Sequence, residues 1–141
     1  MLTEIQNDIL AALDDIQTNG SPVFRERGIW QGELEEVVKV VQKLPSTHVA
    51  LAGGLFGPGR TIPSTAAPCR MGWDVIVVYQ CLQDRRVAAD QGYGLIEAVV
   101  KKLTGLKTQG GVLWPETFDL VATINGKSAY AVRFALEREI K

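Results

Sequence analysis

The end of the sequence contains a predicted β-hairpin, which is the strongest constraint on the fold. Two runs rich in β-branched and aromatic residues, 118–124 and 127–136, flank the dipeptide Asn125-Gly126. Both Asn and Gly tolerate the positive φ angles of a two-residue hairpin turn, so the pattern predicts two antiparallel strands. In the second run, bulky residues alternate with alanines and Arg133. One face of that strand is therefore expected to face the core, and its shallow opposite face to accept a helix or a neighbouring subunit.

The spacing of apolar residues predicts the remaining elements. Helical spacing predicts three amphipathic helices, and β-branched runs predict two strands before the hairpin. The helices are expected over 5–16, 33–43 and 88–104, and the strands over 48–52 and 73–82. Gly105 is placed to end the third helix. We expect a single α+β domain over 1–141, in which helices pack on one face of a mainly antiparallel sheet that ends in the C-terminal hairpin.

The composition argues against several classes of function. The chain has 141 residues, of which 46% are hydrophobic and 22% charged, as in a globular domain. Fifteen basic and sixteen acidic residues give a net charge of −1, so we expect no sequence-specific binding to nucleic acid. The first twenty residues contain no Lys or Arg, unlike a signal peptide, and no apolar run has the length of a membrane span. The expected location is therefore a cytoplasm, with no membrane partner.

A glycine-rich segment contains a near match to the phosphate-binding loop of nucleotide hydrolases. Residues 54–61, GLFGPGRT, have the glycine spacing of that loop, with arginine in the lysine position. A phosphate-binding loop needs free backbone N–H groups and a helix that begins directly after it. Pro58 removes one N–H group, and Pro63 and Pro68 oppose a helix. A mobile loop over 53–70 is therefore expected, and a small-ligand or nucleotide-binding module is kept as an alternative function.

The sequence contains few candidates for catalytic or metal-binding residues. The one histidine, His48, has no evident partner that would orient it as a general base. A single histidine also supplies too few ligands for a zinc site. Cys69 and Cys81 are expected to be reduced thiols in a cytosolic protein. The three tryptophans are Trp30, Trp73 and Trp114. They could line a ligand groove, but burial in the core explains them with fewer assumptions. We therefore expect no enzyme activity, no catalytic residue, no cofactor and no metal.

Four stretches resemble, in their order and over essentially the whole chain, a family of small tail proteins from Mu-like phages and prophages. They are MLTEIQNDILAAL, ELEEVVKVVQKLPSTHVALAGG, WDVIVVYQC and FDLVATINGKSAYAVRFALE. The family is related in fold to the tail terminators of other tailed phages. The resemblance implies a ring of six subunits that caps the tail tube and presents a surface to the head–tail connector. It also implies that the protein is made in the cytoplasm of a bacterial host and assembled into the virion tail.

The same resemblance implies that the functional residues lie in contacts between proteins. The expected interface residues are Leu55, Phe56, Pro58 and Arg60 in the glycine-rich segment, with Arg85 and Arg86 after the central strand. In a ring, the partners of these residues are a second copy of the chain, the tail tube protein and the connector. A tail assembly adaptor that forms no ring is kept as a second alternative.

Overall fold

The computed structural model describes residues 2–18, 20–41, 43–56, 67–80 and 85–140, with the backbone alone for 67–68, 85–88 and 137–140. The helices are α1 (Leu2–Asp14), α2 (Glu36–Val40) and α3 (Arg85–Leu103). The strands are β1 (Gln17–Thr18), β2 (Ser21–Pro22), β3 (Glu26–Ile29), β4 (Ser46–Phe56), β5 (Ala67–Gln80), β6 (Lys107–Thr108), β7 (Gly111–Val112), β8 (Trp114–Ile124) and β9 (Lys127–Ile140). The long elements follow the predicted order of helix, helix, strand, strand, helix and hairpin.

Five strands form one sheet in the order β3-β4-β5-β9-β8. Antiparallel pairing joins β4 to β5, β5 to β9 and β9 to β8, whereas β3 pairs parallel with β4. The C-terminal hairpin is confirmed, because β8 and β9 pair on either side of Asn125 and Gly126. The φ angles of these two residues are 51° and 77°, both positive as the tight turn requires. The α+β class is confirmed as well.

The sheet separates two hydrophobic clusters. The larger cluster lies between the sheet and the helices α1 and α3, and includes Ile9, Val99 and Trp73. The smaller cluster lies on the opposite face under α2, where Val37 packs near Ala131 of β9. The two long helices therefore share one face, but the short α2 covers part of the other, so the prediction that the helices pack on one face does not hold for α2. Small alanine side chains on β9 leave room for α2 to lie close to the sheet.

Several elements differ in length from their sequence-based predictions. The two hairpin strands extend beyond the predicted runs, β8 beginning at Trp114 and β9 ending at Ile140. Helix α2 has five residues rather than the span 33–43, since its valines are poor helix formers and leave little helical propensity at its ends. Strand β4 extends to Phe56, and β5 begins at Ala67. Both strands thus run into the segment predicted as a loop over 53–70. The centre of that segment, 57–66, lies outside the described residues, so its mobility stays a prediction.

Gly92 allows helix α3 to pack tightly on the sheet. A Cβ atom added at Gly92 would overlap the ring of Tyr79 in β5, whereas one added at Gly94 would have no atom within 4 Å. Tyr79 in turn stacks on Tyr130 of β9, with the ring centroids 6.4 Å apart. Of the two glycines of α3, only Gly92 is therefore required by its contact with the sheet.

We expect the substitutions Gly92→Ala and Gly94→Ala to change stability in opposite directions. Alanine at 92 must displace the Tyr79 ring and should destabilise the protein by about 1–3 kcal/mol. Alanine at 94 should stabilise the helix by up to about 1 kcal/mol, since glycine is the poorer helix former. Urea unfolding of the two variants beside the wild type measures both effects. Equal loss of stability in both variants would contradict the packing described for Gly92.

Candidate assembly interface

The outer half of β4 exposes large apolar side chains. Leu55 and Phe56 are 75% and 60% exposed, and Leu51 is exposed as well. Strand β3 pairs with β4 only over 46–49, so the part of the chain that the structure describes places no strand beside 50–56 on that side. Residues 50–56, ALAGGLF, also contain no charge and no proline. Charges and prolines, two of the features that usually protect a sheet edge from another chain, are therefore missing here.

The glycines in this stretch serve the pairing of β4 with β5. The register shifts between Leu51 and Gly53, and Gly53 has a φ of 133°, which side-chain-bearing residues rarely adopt. A Cβ added at Gly54 would come within 2.8 Å of the Cys69 Sγ atom. Gly54, the first glycine of the apparent phosphate-binding motif, is thus a paired strand residue opposite Met71. This position does not suit the nucleotide-binding alternative, in which the glycine belongs to a loop that cradles phosphate.

Strand β8, at the opposite edge of the sheet, exposes a second apolar stretch. Trp114 and Phe118 are 64% and 62% exposed, and Leu120 is exposed too. The prediction that Trp114 lies in the core is therefore wrong, although Trp73 is buried and Trp30 is partly buried. The β-branched and aromatic run 118–124 indicated a strand, but it could not show that this strand begins at Trp114 or that it has a neighbour on one side only. These residues were missed as interface candidates for that reason.

A buried carboxylate and an arginine join the two central strands. Arg133 of β9 donates from Nε and Nη2 to the two carboxylate oxygens of Asp74 in β5, at 2.7 and 3.0 Å. The Asp74 side chain is only 5% exposed and that of Arg133 is 44% exposed. The hydrogen bonds to Asp74 raise the pKa of Arg133 above its usual value. The pair is bidentate, so it fixes the register of these two strands as well as neutralising the buried charge.

The Asp74–Arg133 pair lies in a groove of about 450 Å³ beside α2. Strand β8 forms the far wall through Thr117, Asp119 and Val121, and Glu33 and Glu35 lie at the near rim. A further ion pair, Arg70–Glu116, links β5 to β8 at the end of the sheet. Four of the ten described residues that line the groove carry carboxylates, and the one cation among these ten, Arg133, is bound to Asp74.

His48 is buried in β4 and points to the α2 side of the sheet, next to Gly28 of β3. Its Nε2 atom has no hydrogen-bond partner among the described residues. Burial lowers the pKa of His48 below its usual value of 6.5, and the charge of Glu26 opposes this only in part. The side chain is therefore neutral at pH 7 and belongs to the core of the sheet rather than to a surface site.

The sequence-predicted interface residues are not all placed by the structure. Leu55 and Phe56 lie exposed at the end of β4, beside each other in sequence but on opposite faces of the sheet. Pro58 and Arg60 lie outside the described residues. Arg85 and Arg86 begin α3, but their side chains are not described. Their role as interface residues stays a prediction.

The described part of the chain shows neither a cluster of metal-binding side chains nor a membrane-spanning helix. No group of three or more His, Cys, Asp or Glu side chains is arranged to hold a metal ion. No described helix combines the length and the apolar character needed to cross a membrane.

Comparison with known proteins establishes the fold. No protein-family model and no curated protein matches the sequence. Among solved structures, the chain is similar to one from the virion of a native gene transfer agent particle, with a TM-score of 0.60. The alignment covers 99% of this chain and 97% of that chain, at 13% sequence identity. The likeness therefore extends over the whole domain, including both exposed strands.

We expect loss of the Arg133 guanidinium to cost more stability than loss of the Asp74 charge. Arg133→Met leaves the Asp74 carboxylate buried and unpaired, and should cost about 3 kcal/mol of stability. Asp74→Asn should cost less, about 1–2 kcal/mol, because the half-exposed guanidinium can turn to water. Glu116→Gln, which breaks the exposed pair with Arg70, is the matched control at about 0–1 kcal/mol. Urea unfolding would contradict this account if Asp74→Asn were the more damaging change.

We expect His48 to make the protein less stable in mild acid. The unfolded chain binds a proton at His48 near pH 6.5, whereas the folded chain binds it only at lower pH. Stability is therefore complete above this value and falls as the pH drops below it, by at most about 1.4 kcal/mol per pH unit. Urea midpoints of the wild type should fall relative to those of His48→Gln between about pH 7.5 and pH 5.5. Parallel pH profiles would contradict a buried neutral histidine.

Proposed function

We propose that this protein is a structural component of a phage-like particle and acts as its tail terminator. In this role a ring of six copies caps the tail tube, ends its growth and joins it to the head–tail connector. The observation that carries the proposal is the full-length likeness in fold to a chain that is itself part of a virion. The resemblance in sequence to the small tail proteins of Mu-like phages points to the same role.

The surface of the domain supports an assembly role. A ring of identical subunits needs two different complementary patches on each copy. The chain exposes apolar residues at both edges of its one large sheet, around Phe56 on β4 and around Phe118 on β8. Exposed apolar patches of this kind mark sites of contact between proteins more often than they mark solvent-facing surface.

The described residues favour this role over a catalytic or nucleotide-binding one. The Nε2 atom of the buried His48 has no hydrogen-bond partner among the described residues that would orient the ring as a general base. Gly54 lies in a paired strand and cannot form part of a phosphate-binding loop. The adaptor alternative shares the fold and differs only in forming no ring, so the assembly state decides between the two.

The test is growth of a tail tube in the presence of this protein. Purified tube protein of the same particle is polymerised with and without the chain, and tube lengths and ends are measured by electron microscopy. We expect added chain to shorten the tubes and to place a ring of density at one end. Phe56→Ser should weaken capping, while Val40→Ser, an equally exposed change on α2, should not. Unchanged tube lengths and bare ends with the wild-type chain would remove the terminator proposal.

A further inference from the structure

The sheet has an unpaired edge on each side. On one side, residues 50–56 of β4 extend past the end of β3; on the other, the outer side of β8 is unpaired along Trp114–Ile124, and residues 114–120 carry its exposed apolar part. A stretch of seven residues spans about 23 Å. Both edges present backbone N–H and C=O groups to which no described strand is bonded on the outer side. The β8 edge is therefore long enough to pair with the whole of the β4 edge.

The strand directions suit a contact between one copy and the next. Three successive antiparallel pairings, β4 with β5, β5 with β9 and β9 with β8, leave β4 and β8 running in opposite directions. A rotation about an axis parallel to the strands keeps these directions. Strand β8 of one copy would then lie antiparallel to β4 of the next and continue the pattern that dominates the sheet.

The exposed side chains also match face by face. Phe56 and Leu51 lie opposite Cys69 and Trp73, on the face that carries α1 and α3. Phe118 and Leu120 lie opposite Val132 and Tyr130, on that same face. On the α2 face, Leu55 lies opposite Arg70 and Trp114 opposite Ala135. Continuing the sheet from one copy to the next would therefore place apolar side chains together on both faces.

The positions at which the two stretches end also suit a contact between β8 of one copy and β4 of the next. A neighbouring β8 can follow β4 only as far as residue 50, because β3 occupies the edge from Val49 onward. In β8 the register with β9 shifts between Pro115 and Thr117 and again between Leu120 and Ala122, and the second shift directly follows the last exposed apolar residue. Such a bulge bends a strand and increases its twist. The bend comes at the point where β8 must leave the edge to clear β3 of the neighbour.

We propose that copies of this chain join head to tail by pairing the β8 edge (114–120) of one copy with the β4 edge (50–56) of the next. The contact is heterologous, so that repetition generates either a closed ring or an open chain. This contact would hold together the ring that the proposed function requires. The proposal rests on that function only for the closure of the contacts into a ring. The second copy is the occupant because its own edge has the length, direction and apolar faces that the exposed edge requires.

Two variants that each disable one edge test the proposal. Phe56→Glu places a charge on the β4 edge, and Phe118→Glu places one on the β8 edge; both side chains are mostly exposed in the single subunit, so we expect both variants to fold, which circular dichroism checks. Native mass spectrometry and sedimentation follow assembly over a wide range of concentration. We expect the wild type to form species larger than a monomer, and each variant alone to remain monomeric. Val40→Glu, exposed on α2 away from both edges, is the control and should assemble as the wild type does.

The mixture of the two variants is the decisive sample. The intact β8 edge of Phe56→Glu can bind the intact β4 edge of Phe118→Glu, so the mixture should form a 1:1 dimer and nothing larger. A wild type that is monomeric at every concentration, a variant that assembles alone, or a mixture that stays monomeric would each overturn the proposal. Rings that form through these edges but do not cap tubes would instead refute the terminator function alone. Tubes capped equally well by Phe118→Glu would refute the edge pairing alone.

Discussion

The antiparallel ladder between β5 and β9 is the interaction on which the rest of the structure depends. Each strand has fourteen residues, and their pairing runs without a register shift from Ala67 opposite Ile140 to Gln80 opposite Lys127. This ladder separates the two hydrophobic clusters and holds Asp74 against Arg133. It also makes β4 and β8 the next strands outward on either side. The exposed edges of the molecule are thus a direct consequence of which strands form its centre.

The magnitudes indicate which surface residues can drive assembly. Burying a side chain such as Phe118 or Leu55 contributes about 1.5–3 kcal/mol, whereas an exposed ion pair contributes about 0–1 kcal/mol. Charged residues such as Arg85 and Arg86 would therefore add specificity and orientation to a contact rather than most of its stability. The apolar residues of the two edges are the stronger candidates, and Leu55 and Phe56 are the ones that the sequence alone identified.

Local signals made much of the fold predictable from the sequence. The turn at Asn125-Gly126 depends only on the backbone preferences of two residues, and the end of α3 before Gly105 depends on the positive φ of one. The length of β4 was not predictable in this way. Gly53 and Gly54 are poor strand formers, and they are in the sheet because β5 pairs with them. The space beside Cys69 requires glycine at 54, and the positive φ favours it at 53.

The candidate interface was only half predictable for a related reason. An alternating pattern shows that a segment is a strand, but exposure depends on how many neighbours the strand acquires in the sheet. Trp114 and Phe118 occupy a strand whose pattern also fits a central position, and only the order β3-β4-β5-β9-β8 shows that β8 is at an edge. Leu55 and Phe56 were expected at an interface because of the resemblance to small phage tail proteins, and the structure shows both side chains exposed.

The two edges differ in how well they are protected, and this difference bears on how copies could recognise each other. Strand β8 carries Pro115 and Asp119, which discourage pairing with an arbitrary strand, while residues 50–56 of β4 carry neither charge nor proline. Bulges lie within both stretches, between Leu51 and Gly53 in β4 and between Pro115 and Thr117 in β8, and a further bulge follows Leu120. Since bulges bend and twist strands, these positions would set the rotation from one copy to the next, and that rotation decides whether a head-to-tail contact closes into a ring or continues as a filament.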